Sequence, residues 1–265
     1  MLAELRGFVF DLDGCVWTGQ VLSPGARETL QALHEGGRRL AFISNNSRAT
    51  GAELLTRLRH LGVSVAEHVL TPLDIIGRVV TEAYGRSRVL VMGADELMQA
   101  VARAGHEIVE IKRYREATVV VVGNDFDLSY ERLTAAARAA AAGAPIVTPN
   151  VDPRLPIEDG DFLPGCGAIV QAVCIAAERP MTIVGKPQPP LFRIALERLG
   201  LDAAQTAMVG DSVASDVRGG RGVGMPTVLY APDGAGAGAA EADVVVASFT
   251  ELAEGAGVTG RPQKK

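Results

Sequence analysis

Short β-branched runs alternate with amphipathic helical stretches along nearly the whole chain, and that alternation restricts its fold more than any other feature. Phe8-Val9-Phe10, Leu40-Ala41-Phe42-Ile43, Val89–Met92, Ile108–Ile111, Val119–Val122, Ile146–Thr148, Thr182–Val184 and Thr206–Val209 each suit a buried strand, with further strands near Val228 and Val245. Between them, Leu54, Leu55, Leu58 and Leu61 recur at helical spacing, with Gly62 as a stop. Ser23-Pro24 predicts a helix start, serine as cap and proline as first helical residue, and Gly36-Gly37 its end. Helices are also predicted from Asp95 to Ala104, from Ser129 to Ala142, up to about Glu178, and over Pro190–Leu199. Strands joined by helical crossovers pair in parallel, so the expected class is α/β with a doubly wound sheet.

The first strand–helix set ends around Thr71-Pro72, a second occupies the middle of the chain, and the original pattern resumes near Thr182–Val184. This predicts one domain made of residues 1–74 and 183–265, interrupted by an inserted domain at 75–182. Pro149–Gly165 has no clear period, Ala231–Ala240 is expected to be a surface loop, and Gly255–Lys265 is expected to be a polar, frayed tail.

A net charge of -5 over 265 residues argues against nucleic acid or an anionic membrane as partner. No apolar run is long enough to span a bilayer, and the acid and arginine near the N-terminus do not suit a signal peptide, so a cytoplasmic protein is expected. Cys15, Cys166 and Cys174 show no CxxC spacing and are expected to be free thiols. His34, His60, His68 and His106 have no mutual metal-ligand spacing and are expected to be structural.

Ligands of open α/β sheets bind beyond the carboxyl ends of the strands, and four polar clusters fall there. They are Asp11-Leu12-Asp13-Gly14, Ser44-Asn45-Asn46, Gly185-Lys186-Pro187, and Gly210-Asp211-Ser212 with Asp216. If the first strand continued, Asp11 and Asp13 would share one face, where two carboxylates repel unless a cation or a proton intervenes.

In this order the four clusters resemble the motifs of the haloacid dehalogenase-like (HAD) superfamily, and the likeness extends over nearly the whole chain. The resemblance implies a Rossmann-like core with a parallel sheet, plus an inserted α/β class-II cap. It implies a magnesium-dependent phosphatase working through an aspartyl-phosphate. Asp11 would be the nucleophile and Asp13 the acid and base. Lys186 would neutralise phosphate charge, and Gly14, Ser44, Asn45 and Asn46 would contact the substrate. Asp11, the backbone carbonyl of Asp13, and Asp211 would hold Mg2+, with Ser212 and Asp216 behind them. An acid two positions after the nucleophile favours phosphatase or mutase chemistry within the superfamily.

Val121–Phe126, Thr148–Asp152 and Pro164–Gly167 are similar to the NagD-like, p-nitrophenylphosphatase branch (subfamily IIA). That branch acts on small phosphomonoesters such as p-nitrophenyl phosphate, phosphoglycolate, glycerol phosphate, nucleoside monophosphates and pyridoxal phosphate. Arg154 and Leu155 stand where pyridoxal-phosphate phosphatases carry an aromatic residue and a histidine, which favours the phosphoglycolate and glycerol-phosphate branch and makes Arg154 a substrate-binding candidate. A small phosphorylated metabolite is the implied partner, and a homodimer through the cap is implied by relatives. The alternatives are a sugar phosphomutase, which the cap position disfavours, and a catalytically silent phosphate-binding module, which the full set of motif side chains disfavours.

Overall fold

The computed structural model describes residues 1–156 and 161–258; the tail beyond 258 and four residues of the 149–165 stretch lie outside the described residues. Contacts separate the chain into two compact units. Met1–Ser44, Gly51–Leu70 and the chain from Lys186 onward form the first, and Asn45–Thr50 with Thr71–Gly185 the second.

The first unit is built on a six-stranded parallel sheet in the order Val244–Val246, Thr227–Tyr230, Thr206–Gly210, Gly7–Asp11, Arg39–Ile43, His68–Leu70. From Gly7–Asp11 the chain adds strands to one side, then returns to add the last three on the other. The order therefore reverses beside the first strand, the position at which such sheets open a crevice at their carboxyl edge. Phe10 anchors the interior and is fully buried. Its ring stacks with those of Phe8, Phe42 and Phe249 at centroid distances of 6.1, 5.8 and 6.2 Å. Such pairs add to what burial of the rings contributes, and they fix the strand that carries Asp11.

Two local features differ from the sequence reading. The helix after the first strand spans Ala26–Glu35 and is preceded by Gly25 at φ 76°, so Ser23 is not its cap. The Ser23 hydroxyl donates instead to the Cys15 carbonyl and its amide to that of Val16, tying the chain back to the loop after the first strand. That loop holds a two-residue hairpin, Trp17–Thr18 against Val21–Leu22, too short to register as alternation.

The second unit has its own five-stranded parallel sheet, ordered Met181–Ile183, Ile146–Thr148, Val119–Val122, Arg88–Met92, Glu107–Val109. Its core joins Leu90, Met92, Val120 and Val122 to the alanine face of helix Tyr130–Ala141 and to Ile169, Val170 and Val173 of helix Cys166–Ala177. Alanines at 135, 136, 139 and 140 let these two helices lie close together. The stretch read as irregular contains an antiparallel hairpin, Arg154–Pro156 with Phe162–Pro164. The strand expected to reach Ile111 stops at Val109, and Ile111–Glu116 winds as 3-10 helix. Among the described residues no helix is long and apolar enough to cross a membrane.

Candidate active site

Asp11 is the last residue of the first strand, at the carboxyl edge of the sheet, with 6 % of its surface exposed. Lys186, immediately after the second unit, is equally buried. Its Nζ donates to Asp11 Oδ1 at 2.5 Å and to Asp216 Oδ1 at 2.7 Å. Asp216 is delivered by a single π-helical turn, Val213–Val217, capped by the Ser212 hydroxyl, which accepts the Ser215 amide at 3.2 Å. The Ser212 amide donates to Asp216 Oδ2 at 3.1 Å. Asp216 is thus far more than an acid complementing a helix dipole: it is fully buried and ion-paired. Gly210 lets it come this close, since a Cβ there would sit 2.3 Å from Asp216 Oδ2.

Asp211 follows the neighbouring strand Thr206–Gly210 and completes an acidic trio. Carboxylate oxygens of Asp11, Asp211 and Asp216 lie within 4.8 Å of one another. Gly14, at φ 88°, packs against it, and a Cβ there would approach Asp211 Oδ2 to 2.3 Å. Both the left-handed backbone and the space therefore demand glycine. Burial pushes the Asp11 carboxyl well above its usual range despite Lys186, with Asp216 and Asp211 adding to the rise. Burial and then Asp216 raise Asp211 as well. Burial would by itself push the Lys186 ammonium down, but Asp11 and Asp216 reverse this and hold it protonated. The one ammonium pairs with two of the three clustered carboxylates, and the negative charge of the trio is what a hard, oxygen-seeking cation would offset.

The expected Asp11–Asp13 pair on one strand face is not what the structure shows. Pairing ends at Asp11, so strand alternation does not carry through to Asp13. Asp13 is exposed and lies in a loop closed by Trp17 N–H to the Leu12 carbonyl at 3.0 Å and Gly14 N–H to the Trp17 carbonyl at 2.8 Å. The acids that crowd Asp11 are Asp216 and Asp211, from the other end of the chain. Asp13 instead accepts the Trp17 indole N–H at Oδ1, 2.8 Å, and the Ser44 hydroxyl at Oδ2, 3.0 Å. Ser44 follows Arg39–Ile43 and is buried.

Sequence reasoning passed over Trp17, the chain's single tryptophan. Its position four residues after Asp13 was the available signal. The ring is fully buried beneath the Arg57 guanidinium, 4.2 Å from the centroid, and Arg57 also donates to the Gly19 carbonyl.

The other predicted site residues belong to the second unit. The Asn45 carbonyl accepts the Asn150 side-chain amide at 2.8 Å, and Asn46 Oδ1 accepts the amides of Arg48 and Ala49, both at 2.9 Å. Asn46 thereby shapes a turn. Arg154 is exposed at the start of the second-unit hairpin, its guanidinium 4.2 Å from the Phe162 ring centroid.

Two family models match: one described as haloacid dehalogenase-like hydrolase over residues 8–107, the other as HAD-hydrolase-like over residues 183–252. Human glycerol-3-phosphate phosphatase is 33 % identical over 255 residues, covering 86 % of this chain and 79 % of the relative. An acid sugar phosphatase of Staphylococcus aureus is 32 % identical over 228 residues, covering 86 % of each. Among solved structures, p-nitrophenyl phosphatase from Archaeoglobus fulgidus superposes with a TM-score of 0.84 at 32 % identity, covering 95 % of this chain and 99 % of that one.

Proposed function

Because this chain belongs to the haloacid dehalogenase-like hydrolases, NagD-like branch, and is a phosphatase of small phosphate esters, we propose that Asp11 is its nucleophile and that Mg2+ is its cofactor. The observation that carries this reading is the carboxylate trio around Lys186 at the reversal point of the sheet. All its donors are oxygens, which suits magnesium rather than a thiophilic metal. Asp11, the Asp13 carbonyl and Asp211 would hold the ion, with Asp216 and Ser212 supporting them. Magnesium held there would supply positive charge to offset that of the carboxylates and the phosphate.

The chain's own groups divide the remaining work. Lys186 holds Asp11 in place and adds positive charge where phosphoryl oxygens gather. A carboxylate oxygen of Asp11 attacks phosphorus while the bond to the leaving oxygen breaks, and Asp13 passes its proton to that oxygen. Water then attacks the aspartyl-phosphate, gives its proton back to Asp13, and releases phosphate and the Asp11 carboxylate. Gly14 and Ser44, with Asn45 and Asn46, are assigned to the phosphate. Arg154 is assigned to the leaving group, whose class we place among small phosphomonoesters such as glycerol phosphate, phosphoglycolate and nucleoside monophosphates.

The test is phosphate release from p-nitrophenyl phosphate with and without magnesium. The wild-type protein is expected to turn over only with the ion, and Asp11→Asn to lose at least about a thousandfold in kcat, as loss of a covalent nucleophile would produce. Absence of magnesium-dependent turnover over a broad phosphomonoester panel would sink the proposal.

A further inference from the structure

We propose that a basic pocket at the amino end of the first sheet binds a small phosphate-bearing anion, at a site separate from the acidic trio and Lys186. The pocket encloses about 370 Å³ and is lined by Arg38, Arg39, Arg198, His34 and His68 against a single carboxylate, Glu67. All of them belong to the first unit. Arg39 opens strand Arg39–Ile43 and His68 opens its neighbour His68–Leu70, whereas Asp11 and Ser44 stand at the carboxyl ends of their strands. The five residues of Arg39–Ile43, at about 3.3 Å each, put roughly 15 Å between the two ends of the sheet.

The chain as a whole carries a charge of -5, so this much positive charge in one place runs against its average. Even with both imidazoles neutral, the three guanidiniums outnumber the lining carboxylate by two. Among the described residues none of these side chains is in an ion pair. Arg39 Nη1 donates to the Leu199 carbonyl at 2.5 Å, where helix Pro189–Leu199 ends, and Arg38 Nη2 donates to the Ala3 carbonyl at 2.7 Å. Those carbonyls hold the two guanidiniums in place without cancelling their charge. Arg38 Nε is buried and has no partner among the described residues. Like charges gathered around one pocket repel, and an anion among them offsets that cost.

The lining also indicates which anion. A surplus of two positive charges matches a phosphate dianion, and guanidinium forks suit its oxygens. Leu40, Val65 and Leu199 give the pocket apolar walls that a short carbon skeleton can lie against, and Glu67 can accept from a ligand hydroxyl. The volume is at the small end of the range for ligand pockets, which confines the occupant to a small molecule. Free phosphate and an organic phosphate share this chemistry, and the apolar walls separate them.

The test is a titration of the isotope-labelled full chain, in chelator and at constant ionic strength, with inorganic phosphate and separately with glycerol phosphate. Amide and arginine Nε–H resonances are followed by NMR, at a mildly alkaline pH that keeps both probes largely dianionic. The expected result is saturating shifts at Gly37, Arg38, Arg39 and Arg198, with a Kd of about 1 mM or tighter. Arg198 is exposed, so its reversal in Arg198→Glu does not bury a charge, and it should weaken binding at least about tenfold. If that variant fails to fold, Arg198→Gln takes its place and the same comparison with the wild-type protein decides. Phosphate binding at least as tight as glycerol phosphate would make the free anion the ligand, and tighter binding of glycerol phosphate would make it an organic phosphate. Shifts confined to Gly14 and Ser44, shifts that grow without saturating, or a Kd indifferent to the loss of the Arg198 charge would each overturn the proposal.

Discussion

At the scale of single residues, the candidate site is defined by charges that burial has made costly. Asp11 keeps only 6 % of its surface and has Asp211 and Asp216 as neighbours. Burial, reinforced by those two carboxylates, raises its proton affinity well above the ordinary range even though Lys186 touches it. In metal-free protein the folded state then holds a proton on Asp11 at pH values where the unfolded chain has already lost it. The folded state binds more protons across that window, so stability is greatest below the ordinary carboxylate pKa and falls as pH rises through the raised one. Thermal unfolding in chelator is therefore expected to give a Tm that declines with pH above the ordinary carboxylate range. Asp11→Asn should flatten the decline in part, because Asp211 is shifted in the same direction and contributes the same sign. A wild-type Tm that stayed level or rose over that window, relative to the Asn variant, would contradict the electrostatic account. The same crowding was only half legible in the sequence. Asp11, Lys186, Asp211 and Asp216 stand at strand ends and in motif order, but which acids press on Asp11 depends on strand neighbours some two hundred positions apart. Local spacing pointed to Asp13, and folding substituted Asp211 and Asp216.

At the scale of elements, the places where the chain leaves one unit for the other are marked by local chemistry. Helix Pro72–Tyr84 opens the long segment of the second unit with a capping box. Thr71 and Asp74 bind reciprocally, and the Asp74 carboxylate accepts both the Thr71 amide at 2.7 Å and its hydroxyl at 2.9 Å. Pro72 supplies the preset φ of a first helical residue. Thr71 is fully buried, so its hydroxyl has no ready substitute partner. Thr71→Ala is expected to lower stability by about 1–2 kcal/mol, the upper part of the range for a lost cap, measured by urea unfolding. Because Thr71 lies outside the acidic trio, kcat for p-nitrophenyl phosphate should change less than about twofold; a stability loss below about 0.3 kcal/mol would show that the cap is dispensable.

The sequence reading takes Thr71-Pro72 only as the end of the first strand–helix set and places no helix there, although Thr-Pro before an apolar periodic run is a start signal. Ser23-Pro24 looked alike and misled. There, Gly25 turns the chain through a left-handed conformation, and the Ser23 hydroxyl is drawn to Cys15. The two hairpins, Trp17–Thr18 with Val21–Leu22 and Arg154–Pro156 with Phe162–Pro164, stayed hidden for a different reason. Strands of two or three residues carry no period, and only pairing defines them. The long parallel strands, buried on both faces, were legible because nothing but a continuous apolar run can occupy those positions.

At the scale of the whole molecule, the consequence of two separate cores is that a ligand held by one need not stabilise both. The first unit gathers Phe8, Phe10, Phe42 and Phe249, and the second gathers Leu90, Val120, Val122 and the alanine face of Tyr130–Ala141. Magnesium bound by Asp11 and Asp211 would act on the carboxyl ends of Gly7–Asp11 and Thr206–Gly210, the paired central strands of the first sheet. A ligand that binds only the folded form stabilises it by RT ln(1 + [L]/Kd), about 2.7 kcal/mol at a free concentration a hundred times Kd. Amide hydrogen exchange reads that gain strand by strand, since protection against opening is not uniform over a structure. Adding magnesium should slow exchange of the amides in Gly7–Asp11 and Thr206–Gly210, by up to about a hundredfold where exchange requires opening of the unit that holds the ion. Amides of Val119–Val122, at the centre of the second sheet, should be unchanged. An equal slowing in both sheets would mean that the two units open as one cooperative body, and no slowing in either would remove the acidic trio as a cation site. Asp211→Asn separates the remaining possibilities, because it takes a carboxylate from the trio while leaving the Lys186 pairs with Asp11 and Asp216 in place. It should abolish the magnesium effect on the first sheet without altering exchange in the second.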